Sequence, residues 1–229
     1  LENVSAERIQ MELLKLMISD HPEAFRLAYE TGLTSVFLPE FDRMMETPQN
    51  NPHHAYTVGE HTLRALTAIP NNPVLRLTIL LHDIGKPGTR TTDAEGIDHF
   101  KGHNEAGARI STDILRRLKF DNQTIRIVST LIAYHDTRFN QALTRGRNHV
   151  RRMISTVGET LFPYLLDVME ADVSAQSTYM QQEKLRALAE TRLAYEEIIA
   201  SKDCLCAKDL TINGNDLKDL GIPEGKLIG

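Results

Sequence analysis

Cysteine is scarce in this chain. Its two cysteines, Cys204 and Cys206, flank a single residue and lie too close together to staple a fold, which points to a reducing cytoplasm. Long apolar runs are missing too: no stretch approaches the roughly 18 uninterrupted apolar residues that a membrane span needs. The opening Leu1-Glu2-Asn3-Val4-Ser5 lacks the basic-then-apolar pattern of a secretory signal. A positive surplus is also absent. The 229 residues carry 26 Lys+Arg against 31 Asp+Glu, a formal charge of −5. That balance argues against non-specific coating of nucleic acid but leaves room for a local basic face. Internal repeats and low-complexity tracts are lacking, and alternating strand-like runs are few.

What is present is an ordinary globular composition, 41% apolar and 25% charged. At this length one sizeable core, or a core with appended helices, can stand alone. The chain opens on Leu rather than Met and stops at Leu227-Ile228-Gly229, so it reads as a fragment of a longer protein. Apolar residues recur at three- and four-residue intervals nearly throughout, which predicts an all-α fold. Asp20-His21-Pro22-Glu23 predicts a helix start with Asp20 as its cap, and Gly32 its end. Thr57 with Glu60 forms a second capping box, Asn72-Pro73 opens a helix running to before Gly85, and Asp121 caps another. Further helices are expected over 150–157, 161–175 and 181–200. Loops are expected at 47–52, 87–99 and 139–148, with a short hairpin or a lid at 89–96. Three parts follow: a helical piece over 1–48, a central bundle over 49–176 and a C-terminal helical piece over 177–229.

The functional signal lies in the polar residues on apolar stripes. His61 shares a face with Val58, Ala65 and Ala68; His82, with Asp83 beside it, follows Leu75 and Ile79. His103 lies on the face of Ala106, Ile110 and Ile114, His135 ends the row Ile125, Val128, Ile132, and Asp172 extends Leu161, Leu165, Val168. Any one such histidine alone is more often a hydrogen-bonded core residue than a ligand. Together, six inward groups that are all His or Asp leave imidazole lone pairs and carboxylate charge without a partner. A divalent cation resolves that, and bundle cores are where such sites are built. Mixed nitrogen and oxygen donors suit Zn, Ni, Mn, Fe or Mg.

His61, then His82-Asp83, then Asp172 resemble in order and context the HD superfamily of metal-dependent phosphohydrolases. His103 and His135 resemble the extra histidines of members with an extended or two-metal site. The runs from Asn51 to Thr62, from Leu80 to Pro87 and from Phe100 to His103 are similar to the HD domain of bacterial CCA tRNA nucleotidyltransferases and poly(A) polymerase-like proteins. Glu12-Leu13-Leu14-Lys15-Leu16, Thr31-Gly32-Leu33 and Leu38-Pro39-Glu40 resemble that family's RNA-binding neck. Ile212-Asn213-Gly214-Asn215-Asp216-Leu217 with Leu220-Gly221-Ile222 resembles its C-terminal segment. The Gly-Ser turn and Asp-x-Asp carboxylates of the family's nucleotide-adding head do not occur here, so this chain alone is not expected to add nucleotides.

The resemblance implies 2′,3′-cyclic phosphodiesterase, 2′-nucleotidase and phosphatase chemistry at a divalent metal held by His61, His82, Asp83 and Asp172. His103 and His135 would support a second metal or contact the scissile phosphate. Asp83 and Lys86 are the candidate catalytic groups, and Arg90 is a weaker candidate for offsetting phosphate charge. Arg138, Arg145, Arg147, Arg151 and Arg152 form a local positive stretch that could contact tRNA or other phosphates, or could be a solvated loop and helix start. The expected partners are a tRNA or nucleotide phosphoester substrate and the missing N-terminal head, with no membrane. A stand-alone HD nucleotide phosphohydrolase and a non-catalytic tRNA-binding body are the alternatives. His53 and His54 read as loop residues, Asp136 as exposed or supporting, and Cys204 and Cys206 as packing.

Overall fold

The structure, a computed structural model, describes residues 4–139 and 143–201, and the side chains of all of these but 143–146. It is all-α apart from one short hairpin. The helices are α1 Ala6–Met17, α2 Phe25–Glu30, α3 Thr34–Phe37, α4 Pro39–Glu46, α5 Val58–Ala68, α6 Pro73–Leu81 and α7 Lys86–Thr89. After the hairpin come α8 His103–Arg117, α9 Asn122–Tyr134, α10 Leu143–Val157, α11 Phe162–Ala175 and α12 Gln181–Ala200. The hairpin pairs β1 Thr91–Thr92 with β2 Asp98–His99, antiparallel. Cys204, Cys206 and the segment 212–222 lie outside the described residues.

Several starts follow from side chains that satisfy the first free N–H groups of a helix. Asn72 Oδ1 accepts from the N–H groups of Val74 and Leu75, and Asp121 Oδ1 from those of Gln123 and Thr124. Thr57 accepts from Glu60 N at 3.3 Å, but only half of the expected capping box forms. The Glu60 carboxylate turns away to a two-pronged pair with Arg26. Asp20 does not cap. A single 3-10 turn, Pro22–Ala24, precedes α2, and it starts from His21, whose Nδ1 lies 3.1 Å from Glu23. Helix α10 begins earlier than expected, because its apolar markers Val150, Met153, Ile154 and Val157 cover only its second half.

The core is continuous across the bundle. Helix α5 packs on α4, α6 and α11; α6 packs on α9; and α8 pairs with α9. Leu63, Leu66, Leu77, Ile79, Leu80, Val128, Ile132, Leu165 and Val168 are buried at this centre. The N-terminal helices join through an aromatic cluster, with Phe25 edge-on to Phe41 at 4.9 Å and to Phe37 at 6.3 Å. They are also tied by two charged links. Buried Arg76 on α6 donates to the carbonyls of Met17 and Ser19 at the end of α1. Arg117 on α8 grips both carboxylate oxygens of Glu40 on α4 at 2.9 and 2.8 Å. Among the described residues no helix is long and apolar enough to cross a membrane.

Candidate metal centre

The six inward groups expected from the stripes converge at one end of this core. His61 comes from the fourth position of α5 and Asp172 from α11. His82 and Asp83 follow α6, His103 is the first residue of α8, and His135 follows α9. His61, His82, Asp83 and His135 are at most 3% exposed, and His103 is 7% exposed. Asp172 lies at the open edge, with 14% of its side chain exposed. Close approach of backbone makes this possible: a Cβ on Gly85 would lie 2.1 Å from the His103 carbonyl oxygen, so glycine lets α8 start directly against the His82-Asp83 turn.

The orientation of the rings is the informative feature. His82 Nδ1 donates to the Ile79 carbonyl at 2.7 Å, His103 Nδ1 to Phe100 at 2.8 Å and His135 Nδ1 to Ile132 at 2.7 Å. His61 Nδ1 faces the Ala175 carbonyl at 3.3 Å. A carbonyl only accepts, so each ring commits its Nδ1 proton outward and turns its Nε2 inward. The inward atoms crowd together. His61 Nε2 is 2.8 Å from Asp172 Oδ1, and the Nε2 atoms of His103 and His135 face each other at 3.3 Å.

Asp83 stands between two groups of donors. Its Oδ2 lies 3.7 Å from His61 Nε2 and 3.2 Å from His82 Nε2, while its Oδ1 lies 3.6 Å from both His103 Nε2 and His135 Nε2. One ligand atom each from His61, His82 and Asp83 fall within 4.8 Å of one another, as do those from Asp83, His103 and His135. His82 Nε2 and Asp83 Oδ2 are buried, and neither finds an aligned hydrogen bond among the described residues. Imidazole nitrogens and carboxylate oxygens gathered about shared points in this way fit one or two divalent cations.

The electrostatics agree. Burial opposes charge on His82, but Asp83 and Asp172 outweigh it and push the ring up to about 10. Burial also works against ionised Asp83, yet His82 and Lys86 hold it well below the usual carboxylate range. Asp172 is likewise held low against burial, through His61 and His82. Carboxylates that draw a proton onto a buried imidazole this strongly would draw a divalent cation too.

The other sequence candidates divide. Lys86 is buried rather than solvated: its Nζ lies 2.7 Å from Asp83 Oδ2 and donates to Gln49 Oε1 at 2.8 Å. Arg90 is not among the converging groups; its Nε pairs with Asp98 at 3.0 Å in the hairpin. Arg147 pairs with Glu197 of α12 at 3.3 Å. Arg138 and Arg152 are exposed, Arg151 lies beside Arg152 on α10, and the Arg145 side chain lies outside the described ones. Asp136 is exposed beside His135.

Four contributors escape a reading by helical period. Gln49, at the loop before α5, orients Lys86. His54 lies edge-on to His61 at 5.2 Å; its Nδ1 is buried without a partner among the described residues, and burial chiefly drives its pKa down to about 3. Gln176 donates to both oxygens of Asp172, at 3.2 and 3.3 Å, and accepts from Lys184 of α12. Lys184 also reaches His53 Nδ1 at 3.1 Å. No periodic stripe marks these residues; the paired His53-His54 just before the Thr57 cap was the one available sign.

Comparison with known proteins accords with this geometry. Residues 53–176, more than half of the chain, match the HD domain family, and residues 1–45 match the probable RNA and SrmB-binding site of polymerase A. The chain is 33% identical to the CC-adding tRNA nucleotidyltransferase of Thermus thermophilus over 97% of its own length and 50% of that protein. It is 32% identical to the A-adding tRNA nucleotidyltransferase of Deinococcus radiodurans, over 90% and 50% respectively. With the multifunctional CCA protein of Chromobacterium violaceum the figures are 29% identity, over 80% and 47%. The chain spans about half the length of these curated relatives. It belongs to the HD-domain family, and the match to the probable RNA and SrmB-binding site of polymerase A ahead of the HD domain is an arrangement consistent with the C-terminal body of CCA-adding enzymes.

Proposed function

We propose that this chain is a divalent-metal-dependent phosphohydrolase of the 2′,3′-cyclic phosphodiesterase and phosphatase type, and the body of a cytoplasmic tRNA CCA-adding nucleotidyltransferase whose catalytic head is a separate domain. The carrying observation is the orientation of His61, His82, His103 and His135, each turning Nε2 toward Asp83 or Asp172 while Nδ1 is bound to a carbonyl. His61, His82, Asp83 and Asp172 would hold one ion, and His103 and His135, with the far oxygen of Asp83, a second. Such ions (Ni, Mn, Mg, Fe or Zn) supply Lewis acidity and a water ionisable near neutral pH. Buried Lys86 keeps Asp83 ionised and brings positive charge toward an incoming phosphate. The Gln49 amide holds that ammonium in place. Hydrolysis adds water across one P–O ester bond. The N-terminal match to an RNA-binding segment supports tRNA as the parent protein's substrate.

The test combines metal analysis of protein purified without chelator with hydrolysis of a nucleoside 2′,3′-cyclic phosphate. His82→Ala and Asp83→Ala are expected to lose metal and hydrolysis together while far-UV circular dichroism persists. Undiminished hydrolysis in both variants would refute the reading.

A further inference from the structure

The Asp172 side of the centre carries a cation from outside the residues matched by the HD family. Helix α12 begins after residue 176, and its start is fastened to the end of α11: Gln181 Nε2 donates to the carbonyls of Val173 and Ser174 at 3.0 and 3.2 Å. The same linker grips the loop before α5. Ser177 N donates to the His53 carbonyl at 2.9 Å, Ser177 Oγ donates to Pro52, and the Tyr179 ring lies 5.0 Å from that of His53. These links fix the start of α12, from which the Lys184 side chain reaches His53 and Gln176.

An ammonium has three donors, and among the described residues Lys184 directs two of them to His53 Nδ1 and Gln176 Oε1. Because His53 Nδ1 accepts, that neutral ring carries its proton on Nε2. Burial first, and then Lys184 and Arg138, disfavour a charge on it. Burial also lowers Lys184, and the charges of Asp172, Arg138, Asp136 and Lys86 all reach it. The geometric link to the centre is one side chain long: Lys184 donates to Gln176 Oε1, and Gln176 Nε2 donates to both oxygens of Asp172. Lys86 meets the Asp83 carboxylate directly; Lys184 is joined to Asp172 through the Gln176 amide.

We propose that Lys184 is the phosphate-binding arm of this site, taking a non-bridging phosphoryl oxygen of the substrate beside Asp172. The inference rests on the phosphohydrolase reading and deepens it. The ligand class is a phosphoryl oxyanion, whether a phosphomonoester or a 2′,3′-cyclic phosphate, and the segment that supplies the arm is α12.

The test is calorimetric titration of inorganic phosphate into the full chain loaded with Mn, beside metal analysis of the same samples. Lys184→Met is expected to weaken phosphate binding by about ten- to a hundred-fold, the worth of a charge-assisted hydrogen bond, with metal content unchanged. Lys184→Arg is expected to restore most of the affinity. If Lys184→Met binds phosphate as tightly as the unaltered chain while both hold metal, the arm is refuted and the metal centre stands. If the unaltered chain takes up no metal, the phosphohydrolase reading falls and this inference falls with it. A loss of melting temperature in Lys184→Met without loss of phosphate affinity would make Lys184 a structural tie and overturn the proposal.

Discussion

Gly85 offers a sharp perturbation, because the space beside it is occupied by backbone. A methyl at this position would meet the His103 carbonyl oxygen at 2.1 Å and Gly107 N at 2.6 Å, where ordinary contact starts at 3.4 Å. The first turn of α8 would have to retreat by about 1.3 Å, and no rotamer change relieves a clash with main chain. Overpacking costs about 1–3 kcal/mol in typical cores; with two main-chain atoms of α8 opposed, Gly85→Ala belongs at about 3 kcal/mol. For a chain of this size that is a fall in melting temperature of about 6–12 °C. The displaced residue is itself a candidate ligand, so the effect should not stop at stability. Metal binding at Asp83, His103 and His135 should weaken more than at His61, His82, Asp83 and Asp172. Gly88→Ala is the control: nothing lies within 4 Å of its added methyl, and the change should be neutral or stabilise by about 0.4–1 kcal/mol. Thermal unfolding of both variants, with metal titration below the melting range, decides the matter. A Gly85→Ala protein that melts with the unaltered chain and binds metal equally well would show that the close approach of α8 to the His82-Asp83 turn is wrong.

Two further outcomes concern the attachment of the N-terminal helices. Arg76→Leu removes the buried guanidinium that serves the Met17 and Ser19 carbonyls, and should cost about 2–4 kcal/mol by denaturant unfolding, with early proteolysis near the end of α1. Glu60 is held below its ordinary range chiefly by hydrogen bonding to Arg26, with burial opposing. A carboxylate with a depressed folded pKa stabilises fully above its unfolded value, and that contribution is lost as pH falls through the folded one. The pair is partly exposed, at 41% and 25%, so solvent screening limits it to about 0.2–1 kcal/mol. Glu60→Gln should therefore flatten the acid limb of stability below about pH 4.5, with an effect that shrinks in high salt; an unchanged limb would refute it.

The all-α fold was legible because its signals are local: apolar spacing and the caps at Thr57, Asn72 and Asp121 need nothing beyond neighbouring residues. The convergence of His61, His82, Asp83, His103, His135 and Asp172 was half legible. Each sits on or beside an apolar row, and a polar group there must meet the core. What the rows do not contain is the division of labour. Asp83 faces two groups of histidines with its two oxygens, and that depends on how α8 and α9 pack against the turn after α6. Lys86 was legible as a cation near the centre but not as a buried one, since its partner Gln49 lies 37 positions away. Arg90 and Arg147 looked available in a list of basic residues, yet each has an acidic partner, Asp98 and Glu197, that only the folded chain brings near. His53, His54, Gln176 and Lys184 come from a loop, a helix end and a helix whose first turns are polar, where periodicity has no purchase.

The histidines themselves follow a rule more local than their convergence suggests. His82, His103 and His135 each donate Nδ1–H to the carbonyl three residues earlier, at Ile79, Phe100 and Ile132. Ile79 and Ile132 lie in the last turns of α6 and α9, where carbonyls have no N–H four residues on to receive. A histidine placed just past the helix end satisfies one of those carbonyls and is thereby fixed with Nε2 facing forward. Helix termination and donor orientation are then one event, set by the spacing Ile-x-x-His in both Ile79-Leu80-Leu81-His82 and Ile132-Ala133-Tyr134-His135. His61 is the exception that needs the tertiary fold. It sits near the start of α5, where carbonyls are taken by the helix itself, and must borrow the one at Ala175, the last residue of α11. The ring of His61 is accordingly oriented by the same helix that supplies Asp172, so the α5–α11 packing positions both members of that pair at once.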